Sequence, residues 1–263
     1  MNAADRRPVT SPGPDPLAAG YDLDGIPPGT TPHRSIVVCA TPGIRPDLVT
    51  TALRHCGGGV PMEYFDLDAV AAPLVRRWLV LNLDEYITAL HHHRTTADGV
   101  FGVMLQWAHL RRLQRRVEGV TQLTAARTLP VIAEIAPSAD FVFVRDEAID
   151  TQAVRLAMTR AAPGTTPGTR DVAAQLTLIE ATEHSWLRWF DDAGISPVQL
   201  TVSDEAAFDP SLDHLATLLG LPPPPAAPDV SEPALSPHGQ ALLWRFRAER
   251  ASGTLEIHTL HDD

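Results

Sequence analysis

Lysine is absent from this chain of 263 residues, which contains 21 arginines. Without lysine there is no phosphate-loop lysine of the Walker A type, no Schiff base and no attachment point for pyridoxal phosphate. Cysteine is scarce, since only Cys39 and Cys56 occur. This excludes a multi-disulfide scaffold and a zinc site built from four cysteines. Arginine in place of lysine, together with 24 prolines, is typical of a GC-rich bacterial genome.

Positive charge, long apolar runs and metal-binding patterns are scarce as well. The formal net charge of −11 argues against the basic surface that duplex nucleic acid requires. No apolar run reaches the roughly 18 residues of a transmembrane helix, and Arg6-Arg7 lacks the apolar stretch of a signal peptide. The consecutive histidines at 91–93 point in three directions on a helix, so we expect no metal site. We therefore expect a cytoplasmic protein that binds neither nucleic acid nor membranes.

Two proline-rich segments divide the chain. Residues 1–34 carry seven prolines without apolar periodicity, which predicts an extended N-terminal arm. Residues 221–237 contain four consecutive prolines, which are incompatible with a helix interior or a central strand and predict a linker. We expect one domain over residues 35–220, and a C-terminal helix and tail over residues 238–263.

Between these segments, short apolar runs alternate with amphipathic stretches. Ser35–Cys39 and Phe141–Val144 are nearly continuous apolar runs, typical of strands that are buried on both faces. Further strands are predicted at residues 100–105 and 197–202, and helices at residues 48–55, 83–93, 107–117, 121–135, 150–160, 172–190, 213–219 and 239–250. This order predicts an α/β domain with a parallel sheet covered by helices on both faces. Ligands of such sheets bind at the carboxyl ends of the strands, where we expect the site.

Several segments follow one another in a characteristic order. The first comprises Ile36-Val-Val-Cys-Ala-Thr-Pro-Gly-Ile-Arg-Pro-Asp47, then a predicted helix and Pro61-Met-Glu-Tyr-Phe65. The next is Arg94-Thr-Thr-Ala-Asp-Gly-Val-Phe-Gly-Val-Met-Leu-Gln-Trp107. A later strand leads into Phe143-Val-Arg-Asp-Glu-Ala-Ile-Asp-Thr-Gln-Ala-Val-Arg155, and the aromatic residues Trp186, Trp189 and Phe190 come after it.

In this order the segments resemble the trehalose 2-sulfotransferase family, over about residues 35–250. That family has a phosphate loop of the type (Thr/Ser)-x-Arg-Ser-Gly-Ser-Thr followed by Pro-x-Glu-(Tyr/Phe)-Phe. Its later patterns are Arg-Thr-x-x-x-Gly-Val-(Phe/Trp)-Gly-x-Lys-Leu-x-Trp and Arg-x-Asp-x-x-x-Gln-Ala-Val-Ser.

The resemblance implies a sulfotransferase fold, related to the P-loop nucleoside kinases, that binds the sulfate donor 3′-phosphoadenosine 5′-phosphosulfate (PAPS). It also implies transfer of the sulfuryl group to a sugar hydroxyl, and commonly a homodimer. By resemblance, Glu63 stands where a carboxylate removes the proton from the acceptor hydroxyl. Thr41, Arg45 and Arg145 are the residues expected to contact the donor.

The donor loop departs from the family pattern. Aligned from Thr41, the chain has Arg45 at the family Gly, Pro46 at the second Ser and Asp47 at the Thr. Pro46 removes a backbone N–H donor, and Asp47 places a carboxylate where an anion should bind. Arg45 is the compensating change within this loop.

Positions outside the loop have changed as well. The family Lys is replaced by Met104 and the family Ser by Arg155, while Asp146 falls at the family Arg and Arg145 lies one residue out of register. If each lost charged hydrogen bond costs about 1.5–3 kcal/mol, three or four losses weaken donor binding by roughly 10³-fold or more. The sequence therefore predicts that this chain alone binds the donor poorly.

Three hypotheses about function follow. The leading one is a degenerate sulfotransferase subunit that forms a heterodimer with an intact, PAPS-binding homologue in bacterial small-molecule (natural product) biosynthesis. The second is a stand-alone PAPS-dependent sulfotransferase acting on a small-molecule hydroxyl, with Arg45, Arg94 and Arg145 rebuilding the anion site and Glu63 as base. The third is a non-enzymatic protein whose former donor pocket binds another ligand.

Overall fold

A computed structural model describes residues 31–44, 46–66, 70–118, 124–202, 214–222 and 235–255 of the chain. The strands are β1 (Arg34–Ala40), β2 (Val100–Gln106), β3 (Ala139–Asp146) and β4 (Val198–Val202). The helices are α1 (Pro46–His55), α2 (Ala72–Trp78), α3 (Leu83–Arg94), α4 (Trp107–Glu118), α5 (Ala125–Ile135), α6 (Ile149–Arg160), α7 (Thr169–Ala193) and α8 (Pro237–Ala251). Within these ranges, no helix has both the length and the apolar character needed to cross a bilayer.

The four strands form one parallel sheet in the order β2-β1-β3-β4. The register pairs Ala40, the last residue of β1, with Gln106 on one side and Val144 on the other. Strands β1, β2 and β3 therefore end close together at the carboxyl edge of the sheet. The chain leaves β1 toward one side to form β2 and later returns to its other side to form β3. The crevice beside β1 is thus the point where the strand order reverses, which is where such sheets bind ligands.

Both faces of the sheet are buried, as the continuous apolar runs predict. Alternate residues of β1 point to opposite faces, with Val37 and Cys39 in one hydrophobic cluster and Ile36 and Val38 in the other. The first cluster includes residues of α2, α3, α4, α5 and α7, and the second includes residues of α1. The α/β architecture with a parallel sheet flanked by helices is confirmed.

The aromatic residues of α7 pack against the end of β1. Trp186 is fully buried, and its indole Nε1 donates a hydrogen bond to the carbonyl of Ala40 at 3.3 Å. Trp189 donates from its own Nε1 to the hydroxyl of Thr128 on α5 at 2.6 Å. The rings of Trp186 and Phe190 stack with centroids 5.8 Å apart. These contacts fix α7 relative to the carboxyl edge of the sheet.

Helix α6 lies between the loop after β1 and helices α7 and α8. Its apolar side shares a buried cluster with α7 and α8 that includes Val154, Leu176 and Phe246. At the start of α6, Asp150 accepts hydrogen bonds from Arg247 at 3.2 Å and Arg250 at 2.8 Å, which tie α8 to it. The C-terminal helix is therefore packed onto the domain.

The remaining boundaries differ from the sequence predictions in a few places. The short helix α2 was not predicted. Helix α8 begins at Pro237, the last residue of the predicted linker and two residues before the predicted start of the helix at 239. Proline suits the first position of a helix, because its missing N–H has no partner there in any case. The predicted arm over 1–34 and the linker over 221–237 lie mostly outside the described residues.

Candidate functional site

The carboxyl edge of β1, β2 and β3 brings the candidate residues together. Thr41 follows β1 directly, Gln106 is the last residue of β2 and Asp146 is the last residue of β3. The segment that follows β4 lies outside the described residues, as does Arg45, one of the predicted donor contacts.

The loop after β1 is held by hydrogen bonds to α6. Gln152 is buried, and its amide Nε2 donates to the hydroxyl of Thr41 at 3.0 Å and to the carbonyl of Pro42 at 2.6 Å. Within the turn, the N–H of Ile44 donates to the carbonyl of Thr41 at 3.3 Å. The Thr41 hydroxyl is therefore held in place as an acceptor, while its own O–H proton is not used by this bond.

Helix α6 also limits the space around this loop. Gly43 has a φ of +86°, and a Cβ added to it would lie 3.3 Å from Cγ of Gln152 and 3.4 Å from Cβ of Leu156. Helix α1 then begins at Pro46, so its first position has no N–H to offer to an anion. The turn that would hold a phosphate is thus closely packed by α6, and Pro42, Ile44 and Pro46 offer it no free backbone N–H.

Two arginines near this edge, Arg145 and Arg155, are paired with carboxylates. Arg155 Nη1 lies 3.7 Å from Asp146 Oδ2, with only 18% and 6% of the two side chains exposed. Asp146 also accepts, through Oδ1, a hydrogen bond of 2.7 Å from the N–H of Ala148, just before α6 begins. The N-terminus of a helix is where an anionic ligand would bind, and here a side-chain carboxylate is placed there. Arg145, a predicted donor contact, lies 3.4 Å from Glu183.

Glu63 is placed by a segment that runs along β2. Met62 forms a parallel bridge to Val103, and the N–H of Met104 donates to the carbonyl of Met62 at 2.9 Å. This close approach depends on glycine, because a Cβ added to Gly59 would lie 2.6 Å from the backbone nitrogen of Gly102. Glu63 is therefore carried to the carboxyl end of β2 by a fixed backbone.

Glu63, Asp66 and His109 form one cluster, in which each residue offers a ligand atom within 4.8 Å of the others. Gln106 donates a hydrogen bond from its side-chain amide to Glu63 Oε1. Burial raises the pKa of Glu63, the Gln106 bond partly offsets this, and the charge of Asp66 raises the pKa further. Burial lowers the pKa of His109 against the opposing effect of Asp66. Both shifts favour the neutral form of each group.

The geometry of His109 favours proton chemistry over metal binding in this cluster. The backbone N–H of Gln106 donates to His109 Nδ1 at 3.4 Å, so Nδ1 must carry a lone pair. In the neutral ring the proton is then on Nε2, which becomes a donor instead of a metal ligand. A metal-bound histidine commonly has the reverse arrangement, with its second nitrogen donating. The cluster can hold and pass a proton, with Glu63 as its carboxylate base.

Some of these residues were predicted from the sequence and others were missed. Glu63, Thr41 and Arg145 lie at the carboxyl edge or beside it. Asp66 and His109 were missed, because neither belongs to a recognisable spacing; the nearest signal is a histidine four residues after the end of a predicted strand.

Arg94 does not lie where the second hypothesis requires it. This residue ends α3, before the amino end of β2, and its side chain is fully buried with its guanidinium 5.2 Å from the ring centroid of Trp78. It is therefore remote from the loop after β1, and the prediction that it helps to rebuild an anion site there is wrong. The neighbouring histidines are also packed: His91 Nε2 lies 2.7 Å from the carbonyl of Ile135, and His93 stacks on Trp78.

No protein-family model matches the chain, and no curated protein matches it.

Proposed function

We propose that this chain is a sulfotransferase-like subunit, on the P-loop nucleoside-kinase-like sulfotransferase fold, that does not hold the sulfate donor itself. It pairs with an intact PAPS-binding homologue and serves the sulfation of a small molecule in bacterial biosynthesis. The observation that carries this proposal is the ion pair between Asp146 and Arg155 at the N-terminus of α6. By resemblance these positions belong to an Arg and a Ser, so the pair replaces the family residues at this edge.

The electrostatics of the edge support poor donor binding. PAPS carries several negative charges, which need backbone N–H groups and unpaired cations. Pro42 and Pro46 have no N–H, and the N–H of Ile44 is used within the turn. Arg145 and Arg155 already face carboxylates. Three lost charged hydrogen bonds, at about 1.5–3 kcal/mol each, correspond to a loss of at least roughly 10³-fold in affinity.

The parallel sheet supports the fold that the proposal requires. Its order places β1 between β2 and β3, so the loop that begins at Thr41 lies at the reversal point of the sheet. Nucleotides commonly bind at this point in open parallel sheets. This position supports the proposal that the loop derives from a nucleotide-binding loop whose residues have changed.

Glu63 supports a role on the acceptor side of the reaction. Its raised pKa makes the carboxylate a better proton acceptor than a solvated one. In the proposed reaction, Glu63 takes the proton of the acceptor hydroxyl and the hydroxyl oxygen bonds to sulfur. The bond from sulfur to the bridging phosphate oxygen breaks, and its electron pair leaves with adenosine 3′,5′-bisphosphate. The donor in this step is held by the partner subunit.

Co-expression with a neighbouring homologue that has an intact Arg-Ser-Gly loop tests the proposal. Size-exclusion chromatography measures complex formation, and transfer of radiolabelled sulfate to a panel of hydroxylated small molecules measures activity. We expect a heterodimer that is active, while this chain alone is not. Sulfation by this chain alone, or failure of the two chains to associate, contradicts the proposal.

A variant pair tests Glu63 within the complex. Glu63→Gln should lower the rate of sulfation by about 10²–10⁴-fold, the usual contribution of a general base. Glu180→Gln, an exposed position on α7, is the matched control and should leave the rate unchanged. A stand-alone sulfotransferase is disfavoured by the buried position of Arg94.

A further inference from the structure

A cavity of about 560 Å³ lies beside the Glu63 cluster, between α2, the start of α3 and α4. Its walls include Phe65, Val75, Leu81, Tyr86 and Leu113. A volume of this size falls within the range of about 300–1,000 Å³ that is typical of small-molecule sites. The volume of the cavity therefore favours a compact organic molecule as its occupant over the flat surface of another protein.

Two residues that line the cavity, Phe65 and Leu113, come from the segments that carry the Glu63 cluster, although Glu63, Asp66 and His109 do not line it themselves. Phe65 follows Glu63 by two residues, within a turn closed by the N–H of Asp66 donating to the carbonyl of Glu63 at 2.8 Å. On α4, His109 and Leu113 are one helical turn apart and so lie on the same face. The cavity therefore lies next to the segments that carry Glu63 and His109.

Two charged side chains line the cavity, one cationic and one anionic. Among the residues that line it, Arg112 is the cationic side chain and Asp84 the anionic one. Asp84 lies in the first turn of α3, where its charge complements the helix dipole, and Asn82 caps the same helix by accepting from the N–H of Glu85. Arg112 has no such structural role among the described contacts, and it is exposed on α4.

One side chain that lines the cavity is apolar and exposed. Leu81 lines the cavity and is 89% exposed. Covering Leu81 with an apolar ligand releases water from it.

We propose that this cavity binds the acceptor, and that the acceptor is a small molecule with an apolar body, an anionic group at Arg112 and a hydroxyl directed to Glu63. This inference rests on the proposed function, because it assigns the substrate class of that reaction. An apolar acceptor differs from the sugar that the family resemblance implies.

Binding of 6-hydroxy-2-naphthoate to the full chain tests the inference. This probe combines a two-ring apolar body, a carboxylate and a hydroxyl, and its fluorescence and calorimetric heats report binding without donor or partner. Arg112→Gln should weaken binding by at least about tenfold, the effect of losing one charged hydrogen bond. Arg111→Gln is the matched control, since this neighbour on α4 is exposed and does not line the cavity.

Two further measurements locate the bound probe. Val75→Trp, which fills the cavity, should abolish binding while circular dichroism shows an unchanged fold. 2-Naphthol, which lacks the carboxylate, should bind equally to the wild type and to Arg112→Gln. The inference is overturned if the probe does not bind, if the two arginine variants behave alike, or if a folded Val75→Trp variant binds the probe as the wild type does. These outcomes are independent of whether the chain binds the donor, so they are distinct from a failure of the proposed function.

Discussion

Replacement of Asp146 tests how the carboxyl edge of β3 is stabilised. Its carboxylate does two things: it accepts from the N–H of Ala148 at 2.7 Å, and it pairs with Arg155 at 3.7 Å. Asp146→Asn keeps an oxygen that can accept from the N–H and removes the charge. Asp146→Ala removes both. The two variants therefore separate the ion pair from the hydrogen bond.

The expected magnitudes follow from burial. With 6% of the Asp146 side chain and 18% of the Arg155 side chain exposed, the pair lies between a surface and a buried ion pair. We expect Asp146→Asn to lower the free energy of unfolding by about 1–2 kcal/mol. Loss of the hydrogen bond at the helix start adds about 1 kcal/mol in Asp146→Ala. Arg155→Ser should lower the free energy of unfolding by about 1–2 kcal/mol. The double variant Asp146→Asn/Arg155→Ser should lose about 1 kcal/mol less than the sum of the two single losses.

Urea denaturation of the four variants and the wild type gives these values. Asp171→Asn is the control, because Asp171 also accepts a backbone N–H, from Gly168 at 2.7 Å, at an exposed helix start. We expect a change below about 0.5 kcal/mol there. Equal losses for Asp146→Asn and Asp171→Asn, or strict additivity of the Asp146 and Arg155 changes, would refute the role assigned to this ion pair.

Three further changes test other parts of the structure by urea denaturation. Because burial raises the pKa of Glu63, its ionised form opposes folding at a pH above the pKa of the unfolded chain. Glu63→Gln should therefore stabilise the protein at pH 8 and not at pH 4. Equal changes in the free energy of unfolding at pH 8 and pH 4 would contradict the burial of this carboxylate. Leu79→Gly should stabilise by about 0.5–1 kcal/mol because it relieves the positive φ, whereas the same change at Leu81 should not. Gly59→Ala should destabilise by more than about 3 kcal/mol, since its Cβ would meet Gly102; a mild effect would refute that close approach.

The sheet could be predicted because its strands are marked by their own residues. Ser35–Cys39 and Phe141–Val144 are short apolar runs bounded by polar or proline-containing sequence, and both are central strands. Helix α2 could not be predicted in the same way. It has seven residues and ends at Leu79 in a left-handed conformation that is usually occupied by glycine, so the common stop signal is missing.

The candidate site could be predicted only in part, because its residues come from distant segments. Glu63 was found by its place in a motif. Asp66 lies near the end of β2 because the segment before it runs along that strand, and His109 lies there because α4 starts where β2 ends. Arg94 shows the opposite error. Its charge suggested an anion site, while packing buries it under Trp78 at the end of α3. Sequence spacing did not carry this information.

Calorimetric titration of adenosine 3′,5′-bisphosphate into the purified chain tests the central claim most directly. We expect no binding below about 1 mM, and binding with one site per heterodimer once the intact homologue is present, because Arg145 and Arg155 at this edge face carboxylates and do not await a polyanion. Micromolar binding to the chain alone would contradict the account.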